Sequence, residues 1–376
     1  MSGPAAGASG VTSLAPKAVE VAAIEQELAQ LWHQAGGGDA EAPVTRACMS
    51  NLIAVCRTGD ELAAIANEIP TIVGRHPARV FLLLADTTAA GARLEAYVTT
   101  HGHVLEGQQQ VVSEHITIEA RGSATRGLPN AVRGLLIGDL PTAVWWATPE
   151  APPRAGELFT ELAELADQVM YDSLGWPDPP RHMVATANWV AGDRVQRAVS
   201  DLTWRRLKLW RRLIPQALDP SVSPGVLDTV REVTVEHGPH AMTQAWLLTG
   251  WLALRLGWRP VGGKATGGTE ATWQFQAPHG TVPITVRRLS EGEAEIQTVR
   301  FVGAPGGRAA AITCATVGPG RLSVTSEAAP GAIRTLSATP QARADLVAKQ
   351  LPDLARDPLF RNCLAFARTM AEALLR

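Results

Sequence analysis

Cys48 to Cys56 reads CMSNLIAVC, Arg79 to Asp86 reads RVFLLLAD, and between them Asp60 to Val73 carries apolar residues at helical spacing. Apolar runs of this length suit strands covered on both faces, and such strands occur in parallel sheets flanked by helices. With Asp60 as the expected N-cap, the stretch predicts a β-α-β unit. Working outward, Leu94 to Leu105 and Val111 to Ala120 alternate like paired strands around a turn holding Glu106 and Gly107. Pro129 to Ile137 then reads as a helix, Thr142 to Ala147 as a strand, Gly156 to Ala166 as a helix and Gln168 to Tyr171 as a strand. The alternation predicts an open, mostly parallel α/β sheet with helices on both faces. Ligands on such sheets bind beyond the carboxyl ends of the strands, which singles out the turn after Trp145-Trp146 and the Asp172-Ser173 pair.

Upstream, Lys17 to Gln34 has Val21, Ile24, Leu28 and Leu31 at helical spacing and is expected as an outlying helical arm, followed by a flexible GGGDAEAP linker. Met1 to Pro16 is a Gly/Ala/Ser/Pro tract, without the basic start or apolar run of a secretory signal, and is expected to be disordered. Downstream, Asp219 to Gly225 (DPSVSPG) marks a boundary. After it come a strand at Val230 to Glu236, a Trp-rich helix at Ala245 to Leu256, six closely spaced strands between Thr272 and Ser337, and helices at Gln341 to Leu351 and Leu359 to Leu375. The second half therefore reads as α+β with an antiparallel sheet. The expected division is a tail at 1–16, an α/β domain with its helical arm at 17–218, and an α+β domain at 219–376.

The 376 residues are 46% hydrophobic and 19% charged, enough to bury a sizeable core. With 34 Lys and Arg against 36 Asp and Glu, the chain has no overall attraction for nucleic acid or an anionic membrane. The most apolar stretch, Ala245 to Leu256, is too short to span a bilayer and contains Arg255. Cys48, Cys56, Cys314 and Cys363 form no CxxC pair, which fits buried thiols in a reducing, cytoplasmic setting.

Partners must therefore be argued locally, and Asp201 to Arg212 (DLTWRRLKLWRR) is the place to look. Read as one amphipathic helix, Leu202, Leu207, Leu209, Trp210, Leu213 and Ile214 share an arc while Arg205, Lys208, Arg211 and Arg212 lie opposite. Arg206 falls inside the apolar arc, where a guanidinium needs a carboxylate or several carbonyls, so it is expected in a structural ion pair. The basic face is either solvated or a docking surface, and Trp with Arg is the pairing that dominates hot spots. On this reading Trp204, Arg205, Lys208, Arg211 and Arg212 are candidate partner-binding residues. Trp145 and Trp146 join them, because they point to opposite faces of a strand and one could be left for contact.

Motifs for chemistry are mostly missing: no HExxH, GxSxG, GxGxxG or paired-cysteine zinc spacing occurs. Gly257 to Lys264 (GWRPVGGK) resembles a P-loop, but its lysine is one place late and Ala265 replaces the magnesium-binding hydroxyl. Ser113, Glu114 and His115 are strand neighbours rather than a triad, and His101 with His103 lacks a third metal ligand. No cofactor, metal or catalytic residue is assigned. The rival reading is a sugar-phosphate or nucleotide-dependent α/β enzyme that uses Asp172, Ser173 and nearby arginines.

Several motifs in order, HPAR (His76 to Arg79), SEHI (Ser113 to Ile116), DLPTAVWW (Asp139 to Trp146), ADQVMYDS (Ala166 to Ser173), DLTWRRLKLWR (Asp201 to Arg211) and GWLALRLGW (Gly250 to Trp258), resemble the glucose-6-phosphate dehydrogenase assembly protein family, OpcA. The resemblance implies a non-catalytic protein that binds glucose-6-phosphate dehydrogenase and favours its active oligomer. It also implies a link to thioredoxin-type redox control in some members. Here Cys48 and Cys56 would stand roughly 26 Å apart on one straight strand, beyond disulfide reach.

Overall fold

The computed structural model describes residues 12–13, 15–35, 44–46, 48–105, 109–195, 197–327 and 334–375. The first sheet contains β1 (Thr12–Ser13), β2 (Lys17–Val19), β3 (Val44–Arg46), β4 (Ser50–Cys56), β5 (Ala78–Asp86), β6 (Ala92–Leu105), β7 (Gln109–Gly122), β8 (Thr142–Trp146), β9 (Gln168–Tyr171) and β10 (Ala198–Asp201). The helices associated with it are α1 (Ile24–Ala35), α2 (Gly59–Arg75), α3 (Leu128–Arg133), α4 (Glu157–Glu164) and α5 (Pro179–Gly192). Its parallel strands run in the order β7-β5-β4-β8-β9-β10, with β6 antiparallel to β7, and β1 and β2 antiparallel to β6 beyond it. Every residue of β4 is buried, as is every residue of β8 and β9, which is why these segments read as apolar runs rather than alternations.

The second sheet contains β11 (Glu232–His237), β12 (Arg259–Gly267), β13 (Glu270–Ala277), β14 (Gly280–Arg288), β15 (Ile296–Gly303), β16 (Ala310–Gly318), β17 (Arg321–Ser326) and β18 (Arg334–Ser337). It is ordered β12-β13-β14-β11-β15-β16-β17-β18 and is antiparallel except where β11 runs parallel to β14. Between the sheets lie α6 (Leu202–Arg206) and α7 (Lys208–Ala217), and α8 (Met242–Leu256), α9 (Arg343–Gln350) and α10 (Pro358–Leu374) complete the chain. This is the expected fold class, an α/β sheet domain followed by an α+β unit. The chain nevertheless does not part cleanly at 218/219. Leu346, Val347 and Leu351 of the α9 region share a core with Leu52, Ile65 and Trp145, so the penultimate helix returns to the first sheet.

Several expectations change. Lys17–Val19 is a strand paired with Ala96–Val98, and the helix begins only at Ile24. It is no outlying arm, because Ile24, Leu28 and Leu31 are buried in the main core. Thr12 and Ser13, expected as disordered tail, pair with Gly102 and His101; residues 1–11, the GGGDAEAP linker and the turn at 106–108 lie outside the described residues. The N-cap of α2 is Thr58 rather than Asp60. The P-loop-like stretch is a helix stop followed by β12: Gly257 takes the left-handed conformation at φ 68° after α8. Gly263 is tight against Trp273, whose Cδ1 would sit 2.1 Å from an added Cβ. Ser113, Glu114 and His115 are structural, since Ser113 Oγ accepts from the Ala78 amide at 3.3 Å and Glu114 pairs with Arg79 at 2.5 Å. His115 meets His101 at 3.2 Å, and burial lowers the pair to about 3 and about 4, so both rings are neutral at pH 7. The His103 side chain lies outside the described residues.

Candidate functional site

The parallel order places β4 between β5 and β8, which sends successive crossovers to opposite sides and makes the β4/β8 crevice the ligand position of an open α/β sheet. A dinucleotide there needs a glycine-rich first turn, for close backbone approach, and a bare helix N-terminus for its pyrophosphate. This turn reads Arg57-Thr58-Gly59-Asp60-Glu61. Thr58 Oγ1 accepts from the Glu61 amide at 3.2 Å, and Glu61 Oε2 accepts from the Arg57 amide at 2.7 Å, so the helix start is closed by its own side chains. Asp60 and Glu61 further place two carboxylates in the first turn, which repel a phosphate. These residues do not fit the cofactor that the strand order would suggest.

The turn after β8 offers no alternative, because Thr148 is buried and spends its hydroxyl on the local Glu150 backbone. Trp145 and Trp146 are 0% exposed. Trp146 packs edge-on against Phe159 in the main core, while Trp145 sits in the second core with the Arg343 guanidinium 5.4 Å from its ring centroid. The expectation that one of the two forms a contact surface is therefore corrected: helices cover both faces of β8.

At the end of β9, Asp172 receives both terminal nitrogens of Arg206, at 2.7 and 2.8 Å, and the Thr203 hydroxyl at 3.0 Å. Ser173 is 0% exposed and its amide donates to Asp201 Oδ1 at 3.1 Å. Asp172 is thus committed to an internal network, while the Ser173 hydroxyl is buried without a hydrogen-bond partner among the described residues. Asp201 Oδ1 also accepts from the Thr203 amide, capping α6, whereas Oδ2 is buried without a partner. Burial, then repulsion by Asp172, pushes the Asp201 carboxyl up to about 7.

That shift fixes a sign. The folded state binds the Asp201 proton more tightly than the unfolded chain, so its contribution to stability is full below the ordinary carboxylate range. It is lost as pH rises through about 7. Asp201→Asn keeps an acceptor for both amides and removes the buried charge. It is expected to match the parent at pH 4 and exceed it at pH 8 by about 2–4 kcal/mol in urea unfolding. Arg206→Gln should do the opposite at pH 8, leaving Asp172 and Asp201 facing each other without their cation. A parallel pH dependence for Asp201→Asn and parent would refute the assignment.

The expected single basic helix is two helices, broken at Leu207 between α6 and α7. The break divides the cations by role. Arg205 bonds Gln350 Oε1 and, at 2.7 Å, Asp353 Oδ2. Arg211 lies 3.7 Å over the Trp204 ring and donates to the Trp204 carbonyl at 3.2 Å. Trp204 is itself buried, its Nε1 donating to Asp357 Oδ2 at 2.9 Å. Among the seven candidate partner-binding residues only Lys208 and Arg212 are exposed. Gln350, Asp353 and Asp357, which organise the helix pair from the far end of the chain, carry no local signal that links them to it. Among the described residues no group of three or more His, Cys, Asp or Glu is placed to hold a metal, and no helix is long and apolar enough to cross a membrane.

Fold and site together define a two-domain α/β protein in dinucleotide-fold strand order whose phosphate turn is closed by acidic side chains. The chain belongs to the glucose-6-phosphate dehydrogenase assembly protein family, OpcA: residues 70–188 match the model described as glucose-6-phosphate dehydrogenase subunit N-terminal domain, and residues 197–364 its C-terminal domain. A relative named OpcA from Nostoc punctiforme is 31% identical over 201 residues, covering 52% of this chain and 41% of that protein. Another OpcA, from Synechocystis, is 29% identical over 198 residues, covering 51% and 39%. The match thus spans about two-fifths of these relatives' length. Among solved structures, an oxidoreductase from Sinorhizobium meliloti aligns over 86% of this chain and 97% of its own with 13% identity and a TM-score of 0.48.

Proposed function

We propose that this chain is a non-catalytic partner of glucose-6-phosphate dehydrogenase in the oxidative pentose phosphate pathway, binding the enzyme and favouring its active oligomer. The observation that supports the non-catalytic reading is the acidic capping box at the β4/β8 crevice, which occupies the helix start a dinucleotide phosphate would need. The family membership supports the partner. A protein that binds the active assembly in preference to the inactive one shifts the equilibrium by its differential affinity, commonly about 1–3 kcal/mol, with no chemistry of its own.

Docking on this reading uses the exposed charges of the helix pair. Lys208 and Arg212 meet an acidic patch, while Trp204, Arg205 and Arg211 hold α7 in place from behind and Arg206 secures α6 to β9 through Asp172. Charge complementarity acts mainly on the association rate and is screened by salt. Lys208→Gln with Arg212→Gln is therefore expected to slow association with the dehydrogenase about tenfold at low salt and flatten its ionic-strength dependence. The melting temperature should stay at the parent value, because both side chains are exposed. An unchanged salt slope removes α7 from the docking surface.

A further inference from the structure

The helix pair and the segment joining α9 to α10 enclose a cleft of about 530 Å³ between distant parts of the chain. Its charge is one-sided. Arg205, Lys208 and Arg211 line one wall, and Lys349 and Arg356 the other. Of the carboxylates in the walls, Asp353 is paired with Arg205 and Asp357 bonds the Trp204 indole and the Phe360 amide, while Asp201 is buried and spends only Oδ1, on the amides of Ser173 and Thr203.

Three of the cations, Lys208, Lys349 and Arg211, are less well served. Lys208 and Lys349 are exposed, and no hydrogen bond or ion pair to either occurs among the described residues. Arg211 is a stronger case. Its guanidinium is stacked on Trp204, and among the described residues its buried Nε has no acceptor and its one hydrogen bond is to a neutral carbonyl. Burial lowers its pKa, with Asp357 acting against that and the Arg255 and Arg205 charges adding to it. An anion in the cleft would supply a counter-charge.

We propose that this cleft binds a small phosphate ester, its dianion held by Arg211, Lys208 and Lys349. A planar guanidinium and ammonium groups lining one cleft form a donor set that phosphate takes. The volume lies in the range of small-molecule sites, and Trp204 and Phe360 give the cleft an apolar floor for the body of the ester. The Arg205–Asp353 ion pair and the Trp204–Asp357 hydrogen bond tie the two walls together, so the donors are positioned before any ligand arrives.

The site shares Lys208 with the proposed docking face, but its ligand binding is read on the isolated chain, without the dehydrogenase. The test is calorimetric titration of the purified full chain with glucose 6-phosphate, AMP and inorganic phosphate, with glucose as the uncharged control. Saturable binding of at least one ester, tighter than inorganic phosphate and absent for glucose, is expected. Lys208→Gln with Lys349→Gln should weaken it about tenfold or more while leaving the thermal melt unchanged, since both side chains are exposed. Arg211→Gln should abolish it. Three results would overturn the assignment: no saturable heat with any phosphate probe, parent affinity in the lysine double variant, or inorganic phosphate binding as tightly as both esters. Loss of dehydrogenase association in that variant, with no phosphate binding by the parent, would give these charges to the protein partner instead and equally overturn it.

Discussion

Trp146→Ala and Trp145→Ala are each expected to destabilise the chain by about 3–5 kcal/mol, the range for emptying a fully buried indole site. Both residues are 0% exposed, yet they fill different cores, because successive residues of β8 face opposite sides of the sheet. Neighbours on a doubly covered central sheet have little room to collapse into the space left. Each indole also buries its Nε1 without an acceptor among the described residues, so Phe at either position should cost much less than Ala, the orphaned donor being removed while most of the ring's volume stays. Urea unfolding of the four variants checks this. A loss of dehydrogenase binding by Trp145→Ala or Trp146→Ala without a loss of stability would reinstate these tryptophans as contact residues.

Arg79→Met should cost a similar 3–5 kcal/mol for an electrostatic reason. The Arg79 side chain is 3% exposed and that of Glu114 0%; Nε meets Glu114 at 2.5 Å, while Nη1 meets Glu25 and the Leu135 carbonyl at 2.5 Å. Removing the guanidinium takes the Arg79 cation from the buried Glu114 side chain and strips a link between α1, β5 and β7. The cost comes from a buried carboxylate losing its cation rather than from the pair's net worth. Arg79→Met with Glu114→Leu should therefore recover most of the lost stability. A double variant no more stable than Arg79→Met alone would show that the pair is not the cause.

The parallel sheet was readable because β4, β5 and β8 are buried on both faces and so appear as unbroken apolar runs. The β4-α2-β5 unit then needs only a crossover of fixed hand. Lys17–Val19 was harder: three residues cannot show a period, and Val21 continues the spacing of Ile24 and Leu28, so the strand was absorbed into the helix. Segment α5 escaped notice although Asp178, followed by Pro179 and Pro180, is a helix start of the ordinary kind, with Asp178 Oδ1 accepting from the Arg181 amide at 3.2 Å. In the basic helix the charge pattern was visible and the fate of each cation was not. Arg205 and Arg211 lie on the polar arc, yet one turns to Gln350 and Asp353 and the other onto Trp204. Those partners are set by tertiary packing, which a helical wheel does not contain. The closed phosphate turn was half legible. The missing glycines could be read directly, whereas the bonds from the Glu61 amide to Thr58 and from the Arg57 amide to Glu61 needed the backbone.

The central claim is tested most directly by purified glucose-6-phosphate dehydrogenase, assayed for NADP reduction and for mass by sedimentation velocity, alone and with a saturating amount of this chain. The account predicts no cofactor reduction by the chain alone, a shift of the dehydrogenase to a larger species that contains the chain, and a rise in its activity in step with that shift. Turnover by the chain alone, or a dehydrogenase whose mass and activity are unchanged at saturation, would contradict it.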